Sequence, residues 1–306
     1  MSQVALISRL NELPRIQSLL HELLEMVNQD DVDFHQLAHK IEMDQVLSAR
    51  LLRMANSAHF GGNKTIATVN DALIRVGTGP VRTLVVASVL SSAFPHITTL
   101  DMEKYWTDTF EVSVISSKLA AEVGMDTNEV FTTGILHNIG ELMIHTLVPE
   151  QAMVINQRIE LGEEPFSVQE ELLDVSSPTL GARLARSWKF PEEMADAIEH
   201  FNEPREAEVS PKLATILHFA RSINERWDLF QQELDKANFL AEHPDSRLLR
   251  VSASFAATID RIRGNGRDIA AMAAISRCKW CMSNKTQRTK KAGLKPAFHH
   301  LHLTIA

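Results

Sequence analysis

Apolar residues recur at intervals of three and four positions along most of the chain, which is the spacing of one face of an α-helix. No segment alternates apolar and polar residues convincingly, as a β-strand would, and no fixed repeat or low-complexity block is visible. The pattern predicts an all-α protein with a bundle-like arrangement of helices. The first apolar stripe consists of Leu13, Ile16, Leu19, Leu20, Leu23, Leu24 and Val27.

Polar residues with short side chains precede many of these stripes and predict where the helices begin. Two of them, Asp33 with Gln36 and Ser167 with Glu170, have the spacing of a capping box. Two Ser-Pro pairs resemble a cap followed by a first-turn proline, and glycines after a stripe predict the ends. Helices are expected to start after Asp33, Asp44, Thr68, Asp101, Ser167, Ser177 and Ser210, with another opened by Pro80, and to stop at Gly77 and Gly124.

Length and composition bound the cellular context. With 306 residues, of which 44% are hydrophobic, the chain can bury one large core or two modest ones without a disulfide or metal. The amino end lacks a basic stretch ahead of a long apolar one, and apolar runs such as Leu84 to Leu90 are shorter than the roughly 20 residues of a membrane helix. We therefore expect no export signal, no membrane span and a cytoplasmic location.

The charge is unevenly distributed. The net charge is −8, but residues 277 to 306 carry seven Lys or Arg and no acid, which leaves 24 basic and 39 acidic residues, or −15, on residues 1 to 276. An acidic body argues against broad binding of nucleic acid through its phosphates. The basic end is interpreted as a solvated, disordered tail over residues 285 to 306, and contact of that tail with nucleic acid or anionic lipid is the alternative.

The two cysteines, Cys278 and Cys281, lie too close together to frame a disulfide scaffold and are typical of reduced thiols. A Cys-x-x-Cys pair supplies half of a structural zinc site, and three histidines follow it on the basic segment. These histidines come eighteen or more residues later, without a helical pattern. Packing of the segment is therefore favoured over zinc binding, for which the further ligands would be His299, His300 and His302.

Several short motifs follow one another in a fixed order between about Leu13 and about Pro204. Each is weak alone, but together they are specific, and on them the chain resembles the HDOD domain, a relative of the HD and HD-GYP phosphohydrolases. The motifs are Leu13-Pro14, Leu51-Leu52-Arg53-Met54-Ala55-Asn56-Ser57-Ala58, Ala72-Leu73-Ile74-Arg75-Val76-Gly77, Trp106 near a helix start, Gly134-Ile135-Leu136-His137-Asn138-Ile139-Gly140, Trp188-Lys189-Phe190-Pro191 and Ala197-Ile198-Glu199-His200.

The resemblance implies a helical amino-terminal lobe packed on an HD-like helical bundle. We assign residues 1 to 284 to this domain, with residues 13 to 204 as the best-matching part and the two lobes meeting near residues 95 to 100. The region after Pro204 matches less clearly and is expected to add helices that close the HD-like lobe.

An HD-type phosphohydrolase holds divalent metals with imidazoles and a carboxylate, and the metals activate a water. Here the central His-Asp pair corresponds to His137-Asn138, and a neutral amide supplies no negative charge and cannot bridge two metals. Asp108 and Ser177 stand where the family pattern often has histidines, whereas His200 is retained. The resemblance therefore implies a remnant of the metal site, formed by Asp108, His137, Asn138, Ser177 and His200.

Two further positions depart from the family pattern. Glu141 replaces an expected basic residue after Gly140, and Phe201 replaces a second histidine after His200. Only His137 and His200 match as potential metal ligands, with Asp108 as a possible substitute, and a tight catalytic site normally takes at least three protein ligands. We therefore expect no cofactor, and a weakly bound iron, manganese or zinc ion is the alternative.

A different metal arrangement would use His137, Glu141 and His145, which recur every four residues and would share one face of an unbroken helix. Gly140 weakens such a helix, and the apolar neighbours of His137 are typical of a hydrogen-bonded core histidine. The structural interpretation of His137 is therefore favoured over metal binding.

Three functions follow from these observations. The favoured one is a non-catalytic regulatory module that binds other signalling proteins or a small signalling ligand. The alternatives are a metal-dependent phosphohydrolase acting on a nucleotide or cyclic dinucleotide, and a nucleic-acid contact through the basic tail. The missing His-Asp pair and the absence of a Gly-Tyr-Pro sequence count against the hydrolase.

Overall fold

A computed structural model describes residues 18–27, 32–56, 60, 65–94, 97–252 and 254–273. Within these ranges the chain forms helices and no β-strand, so the prediction of an all-α protein is confirmed. Leu13, Ile16, the two cysteines and the basic segment 285 to 306 lie outside the described residues.

In the described part of the amino-terminal lobe, three helices start after the predicted caps Asp33, Asp44 and Thr68. Asp33 accepts the backbone N–H groups of His35 and Gln36, and Asp44 and Thr68 cap the third and fourth helices in the same way. The fifth helix begins at Thr78, two residues before the predicted Pro80. The helices are α1 (Ser18–Val27), α2 (Phe34–Glu42), α3 (Gln45–Ala55), α4 (Val69–Val76) and α5 (Thr78–Ala93).

The HD-like lobe begins with a helix of 22 residues, capped as predicted by Asp101 and ended by Gly124 in the left-handed region (φ 69°). The lobe continues with six further helices in the described residues, of which the first packs directly against this long one. The helices are α6 (Met102–Val123), α7 (Thr127–Leu136), α8 (Ile139–Leu147), α9 (Pro149–Glu160), α10 (Pro165–Leu173), α11 (Ser177–Ser187) and α12 (Glu192–His200), followed by a 3-10 turn (Pro204–Glu206).

Two of the predicted starts in this lobe were wrong. Helix α10 begins two residues before Ser167, because Pro165 occupies its first turn and the carboxylate of Glu164 accepts the Ser167 N–H at 2.7 Å. Helix α11 is preceded by Ser176 rather than Ser177. The Ser177 N–H instead donates to the side-chain oxygen of Gln169 at 2.7 Å, which ties α11 to α10.

The region after Pro204 forms further helices around the second half of α6. Its first helix follows Ser210 with Pro211 in the first turn, as predicted. The helices are α13 (Pro211–Arg226), a 3-10 turn (Trp227–Leu229), α14 (Glu233–Glu242), α15 (Pro244–Leu249), α16 (Phe255–Ile262) and α17 (Asn265–Ala273).

Helix α6 is buried on two sides because it contributes to two hydrophobic clusters. Tyr105, Trp106 and Phe110 join the cluster formed by α1–α5 and α8–α12. Ile115 and Leu119 join the cluster formed mainly by α13–α16. The first cluster contains residues from both sides of the predicted lobe boundary near 95 to 100, so apolar packing is continuous between the lobes.

Helix α17 is fixed on α6 by a buried carboxylate. Glu111 is 5% exposed, and its Oε1 accepts the N–H groups of Gly264 at 2.7 Å and Gly266 at 3.2 Å. A Cβ at Gly266 would lie 2.3 Å from the backbone nitrogen of Glu111, so glycine permits this close approach. Burial raises the pKa of Glu111, and the charge of Arg263 and the backbone N–H groups partly offset that effect.

In the described part of the chain, no single helix has the length and hydropathy needed to cross a membrane. Helix α4 together with Thr78–Leu90 of α5 reaches them only as a pair bent by 115°.

Candidate functional site

Residues His137 and Asn138 form a break between two helices. Helix α7 ends at Leu136 and α8 begins at Ile139. His137, Glu141 and His145, which recur every four residues, therefore do not share one unbroken helix. A Cβ at Gly140 would lie 1.9 Å from the carbonyl oxygen of Ser177. Glycine therefore lets the first turn of α8 contact α11, and the preceding residues turn toward α6.

His137 is a buried, neutral histidine, with 3% of its surface exposed. Its Nδ1 lies 2.6 Å from the Gly134 carbonyl oxygen, so Nδ1 carries the proton and donates. Burial, together with the positive charge of Arg221, lowers the pKa of His137 to about 3. The ring packs edge-on against Phe201, with 5.5 Å between ring centroids.

Both polar atoms of the Asn138 side-chain amide form hydrogen bonds with α6. Its Oδ1 accepts the Tyr105 hydroxyl at 2.9 Å, and its Nδ2 donates to Thr109 Oγ1 at 2.8 Å. The Thr109 hydroxyl in turn donates to the Tyr105 carbonyl at 2.7 Å. An amide fits this position because it accepts from one partner and donates to the other, whereas a carboxylate has no N–H to give to Thr109.

Replacing Asn138 with alanine is expected to lower the free energy of unfolding by about 1 to 2 kcal/mol, because the Tyr105 hydroxyl loses its side-chain acceptor. The measurement is chemical denaturation of the wild type and Asn138→Ala. The control is Asn128→Ala, at the start of α7. It also removes an asparagine side chain, but this one is exposed and accepts no hydrogen bond from a buried hydroxyl. Equal stability of Asn138→Ala and wild type would contradict a structural role for the amide.

Four of the five predicted site residues line one cavity of about 420 Å³ between α6, α8, α10, α11 and α13. Asp108 is paired with Lys104 one turn earlier on α6. Ser177 is 6% exposed and stands at the start of α11. The lining residues are Leu100, Asp101, Lys104, Tyr105, Asp108, Val112, His137, Asn138, Glu141, Ile159, Pro165, Phe166, Gln169, Ser177, Phe201, Arg221, Asn224 and Glu225.

The fifth predicted residue, His200, is not among these lining residues. Its Nδ1 lies 3.0 Å from the Asp196 carbonyl oxygen and 3.2 Å from Asp196 Oδ1. Asp196 in turn accepts the N–H groups of Val209 at 2.9 Å and Ser210 at 2.7 Å. His200 is therefore held beside the carboxylate that fixes the backbone just before α13.

The cavity contains charged and aromatic residues that sequence reasoning did not assign to it. The Arg221 guanidinium lies 4.9 Å from the ring centroid of Phe201 and 5.7 Å from that of Phe166. Burial raises the pKa of Glu141, and the charges of Arg221 and Lys104 partly offset this. No local signal could have identified Arg221, because α13 reaches the cavity only through tertiary packing.

Comparison with known families identifies this arrangement. The profile of the HDOD domain matches residues 13–204. The chain belongs to the HDOD family.

Solved structures with this HDOD fold cover most of the chain. A candidate phosphohydrolase from Shewanella amazonensis SB2B is 35% identical, with a TM-score of 0.76 over 89% of this chain and 98% of that one. An HDOD domain protein of unknown function from Geobacter sulfurreducens is 20% identical, with a TM-score of 0.73 over 88% and 98%. A candidate signal transduction protein from Marinobacter aquaeolei VT8 is 19% identical, with a TM-score of 0.73 over 87% and 60%.

Among curated proteins, an uncharacterised protein of Treponema pallidum (strain Nichols) is 27% identical over 216 residues. The match covers 69% of this chain and 42% of that relative, so the chain spans less than half of the relative's length.

The relation of the HDOD fold to HD phosphohydrolases raises the question of whether these residues fit a divalent metal. Among the described residues, no group of three or more His, Cys, Asp or Glu side chains could hold a metal ion. Asp108 is paired with Lys104, and Asn138 is committed to Tyr105 and Thr109. The donor set in the cavity therefore does not fit the metal centre of an HD enzyme.

Proposed function

We propose that the chain is a non-catalytic signal-transduction module of the HDOD type, which binds a partner signalling protein or a small ligand through the cavity of the HD-like lobe. The proposal depends on one observation: side chains at the positions of former metal ligands form hydrogen bonds within the protein. Asn138 bridges Tyr105 and Thr109, and His137 donates to Gly134. These side chains stabilise the fold, and a degenerate metal site is part of the proposal.

The electrostatics of the cavity support the same proposal. Burial and then the positive charge of Arg221 disfavour a proton on His137, and the same positive charge opposes a metal cation at that imidazole. The cavity instead offers the guanidinium of Arg221 over the rings of Phe201 and Phe166, and arginine and aromatic groups are typical of recognition sites. A cytoplasmic location remains a prediction of this proposal.

A phosphohydrolase is the second candidate, because the relative from Shewanella amazonensis, 35% identical, is a candidate phosphohydrolase. The test is the metal content of the untagged protein by mass spectrometry, with hydrolysis of bis(p-nitrophenyl) phosphate in added Mn²⁺. We expect metal well below one equivalent and no turnover above buffer. Stoichiometric metal with turnover that disappears in His137→Gln would overturn the proposal in favour of the enzyme.

Recognition through the cavity is tested with a matched pair of arginines on α13. Arg221 lies 4.9 Å above Phe201 in the cavity, and Arg226 lies 4.9 Å above Phe239 outside it. Proteins and small molecules that co-purify with the full chain from its source cells are compared by mass spectrometry for wild type, Arg221→Ala and Arg226→Ala. We expect a bound species to be lost from Arg221→Ala alone, by about tenfold or more. Equal recovery with both variants would contradict the use of this cavity.

A further inference from the structure

A second cavity, of about 250 Å³, lies where five helices meet, and it shares no lining residue with the first. Its walls come from both lobes and from the last described helix. Apolar groups predominate, with Met54 of α3, Val114 of α6, Phe131 of α7 and Ile269 of α17 among them. The attachment of α17 to α6 through Glu111 holds the wall formed by α17 in place.

The cavity is also lined by Arg82, a buried cation in the apolar helix α5. Its side chain is 6% exposed, and both Nε and Nη2 donate to one acceptor, the carbonyl oxygen of Val27 at the end of α1. Within the described ranges, no carboxylate lies within 4.0 Å of this guanidinium. Burial lowers the pKa of Arg82, and the negative charge of Asp126 offsets this only in part. Buried charges in proteins are normally paired, so this cation can accept a further anionic partner.

The start of α5 adds positive potential at the same place. Gly77 precedes the helix without a side-chain cap, unlike Asp126 before α7, and Gly79 and Pro80 of this first turn line the cavity. The free N–H groups of a first helical turn carry partial positive charge. The single acid in the lining, Asp268, is exposed on α17, where solvent screens its charge.

From this geometry we propose that the second cavity binds a small amphiphilic carboxylate, with its head group on Arg82 and its apolar body between Phe131 and Ile269. One guanidinium balances one negative charge, so a monoanion suits the site better than a dianionic phosphate, whose second charge would be buried unpaired. An apolar cavity of roughly 150 Å³ accommodates benzene, so this cavity corresponds to about ten non-hydrogen atoms.

The proposal is tested first on the unaltered full-length protein, with octanoate and octan-1-ol as probes of similar size. Isothermal titration calorimetry is expected to give saturable binding of one octanoate, at least about tenfold tighter than the alcohol, because only octanoate can form a charge-assisted hydrogen bond with Arg82. Equal binding of the two probes, or no saturable binding of octanoate, would overturn the proposal. This comparison requires no variant to fold.

Two variants then locate the binding. Arg82→Gln is expected to weaken octanoate about tenfold and leave octan-1-ol unchanged. A Cβ at Gly79 meets no heavy atom within 4 Å, so Gly79→Leu is expected to fold, fill the cavity and prevent binding of both probes, while Gly79→Ala has a smaller effect. Unchanged octanoate binding in Gly79→Leu would place the ligand elsewhere and refute the site, even if Arg82→Gln fails to fold.

Discussion

Acidification from about pH 7 to about pH 5 is expected to remove about 4 kcal/mol of unfolding free energy through His137 and His145. Burial and Arg221 lower the pKa of His137 to about 3, and burial lowers the pKa of His145 to about 4. Below the ordinary histidine pKa of 6.5, these two imidazoles bind protons in the unfolded chain but stay neutral in the folded chain. Stability is therefore lost as the pH falls from about 6.5 toward the folded-state values.

The measurement is denaturant unfolding across this pH range for wild type, His137→Gln, His145→Gln and the double variant. Each single substitution is expected to reduce the difference in stability between the two pH values by about 2 kcal/mol, whatever it does to absolute stability. His39→Gln removes an exposed imidazole from α2 and serves as the control. If wild type and double variant lose the same stability on acidification, these two histidines are not buried as neutral groups.

The second large effect is expected from Gly140→Ala, which should lower the free energy of unfolding by about 3 kcal/mol or more. The new methyl group would lie 1.9 Å from the carbonyl oxygen of Ser177. Because that atom belongs to the backbone of α11, relief requires α8 and α11 to separate. The corresponding decrease in melting temperature is roughly 5 to 10 °C.

Differential scanning calorimetry checks this prediction against Gly79→Ala, where the added methyl group has no heavy atom within 4 Å. The control should change the melting temperature little. A small effect of Gly140→Ala would mean that the contact between α8 and α11 is looser than the structure indicates, and the position of His137 and Asn138 would then lack its stated cause.

The sequence allowed prediction of those parts of the fold that depend on neighbours along the chain. Asp44 and Asp101 cap α3 and α6 as expected, because a cap involves residues two or three positions apart. The prediction at Ser167 was wrong because Pro165 occupies the first turn of α10 and Glu164 caps it. Helix boundaries are uncertain by one or two residues when two local signals of similar strength lie this close together.

The candidate site was predictable only in part. The motifs placed Asp108, His137, Asn138 and Ser177 in one region, and all four line the first cavity. Arg221 reaches that cavity from a helix beyond the matched region, so its contribution depended on the packing of α13. The sequence contains one indication of the second cavity, which is Arg82 within the apolar run of α5. A single arginine in such a run does not predict a binding site until its neighbours in the fold are known.

Helix α6 forms part of the wall of both cavities, through Lys104, Tyr105 and Asp108 on one and Val114 and Ser117 on the other. A helix buried on two sides cannot shift to suit one occupant without altering the packing that meets the other. Any coupling free energy between the occupants is reciprocal, so a carboxylate that strengthens partner binding by some factor must itself bind more tightly by that factor when the partner is present. Titrating the carboxylate with and without the partner, or the partner with and without the carboxylate, would therefore give the same coupling free energy.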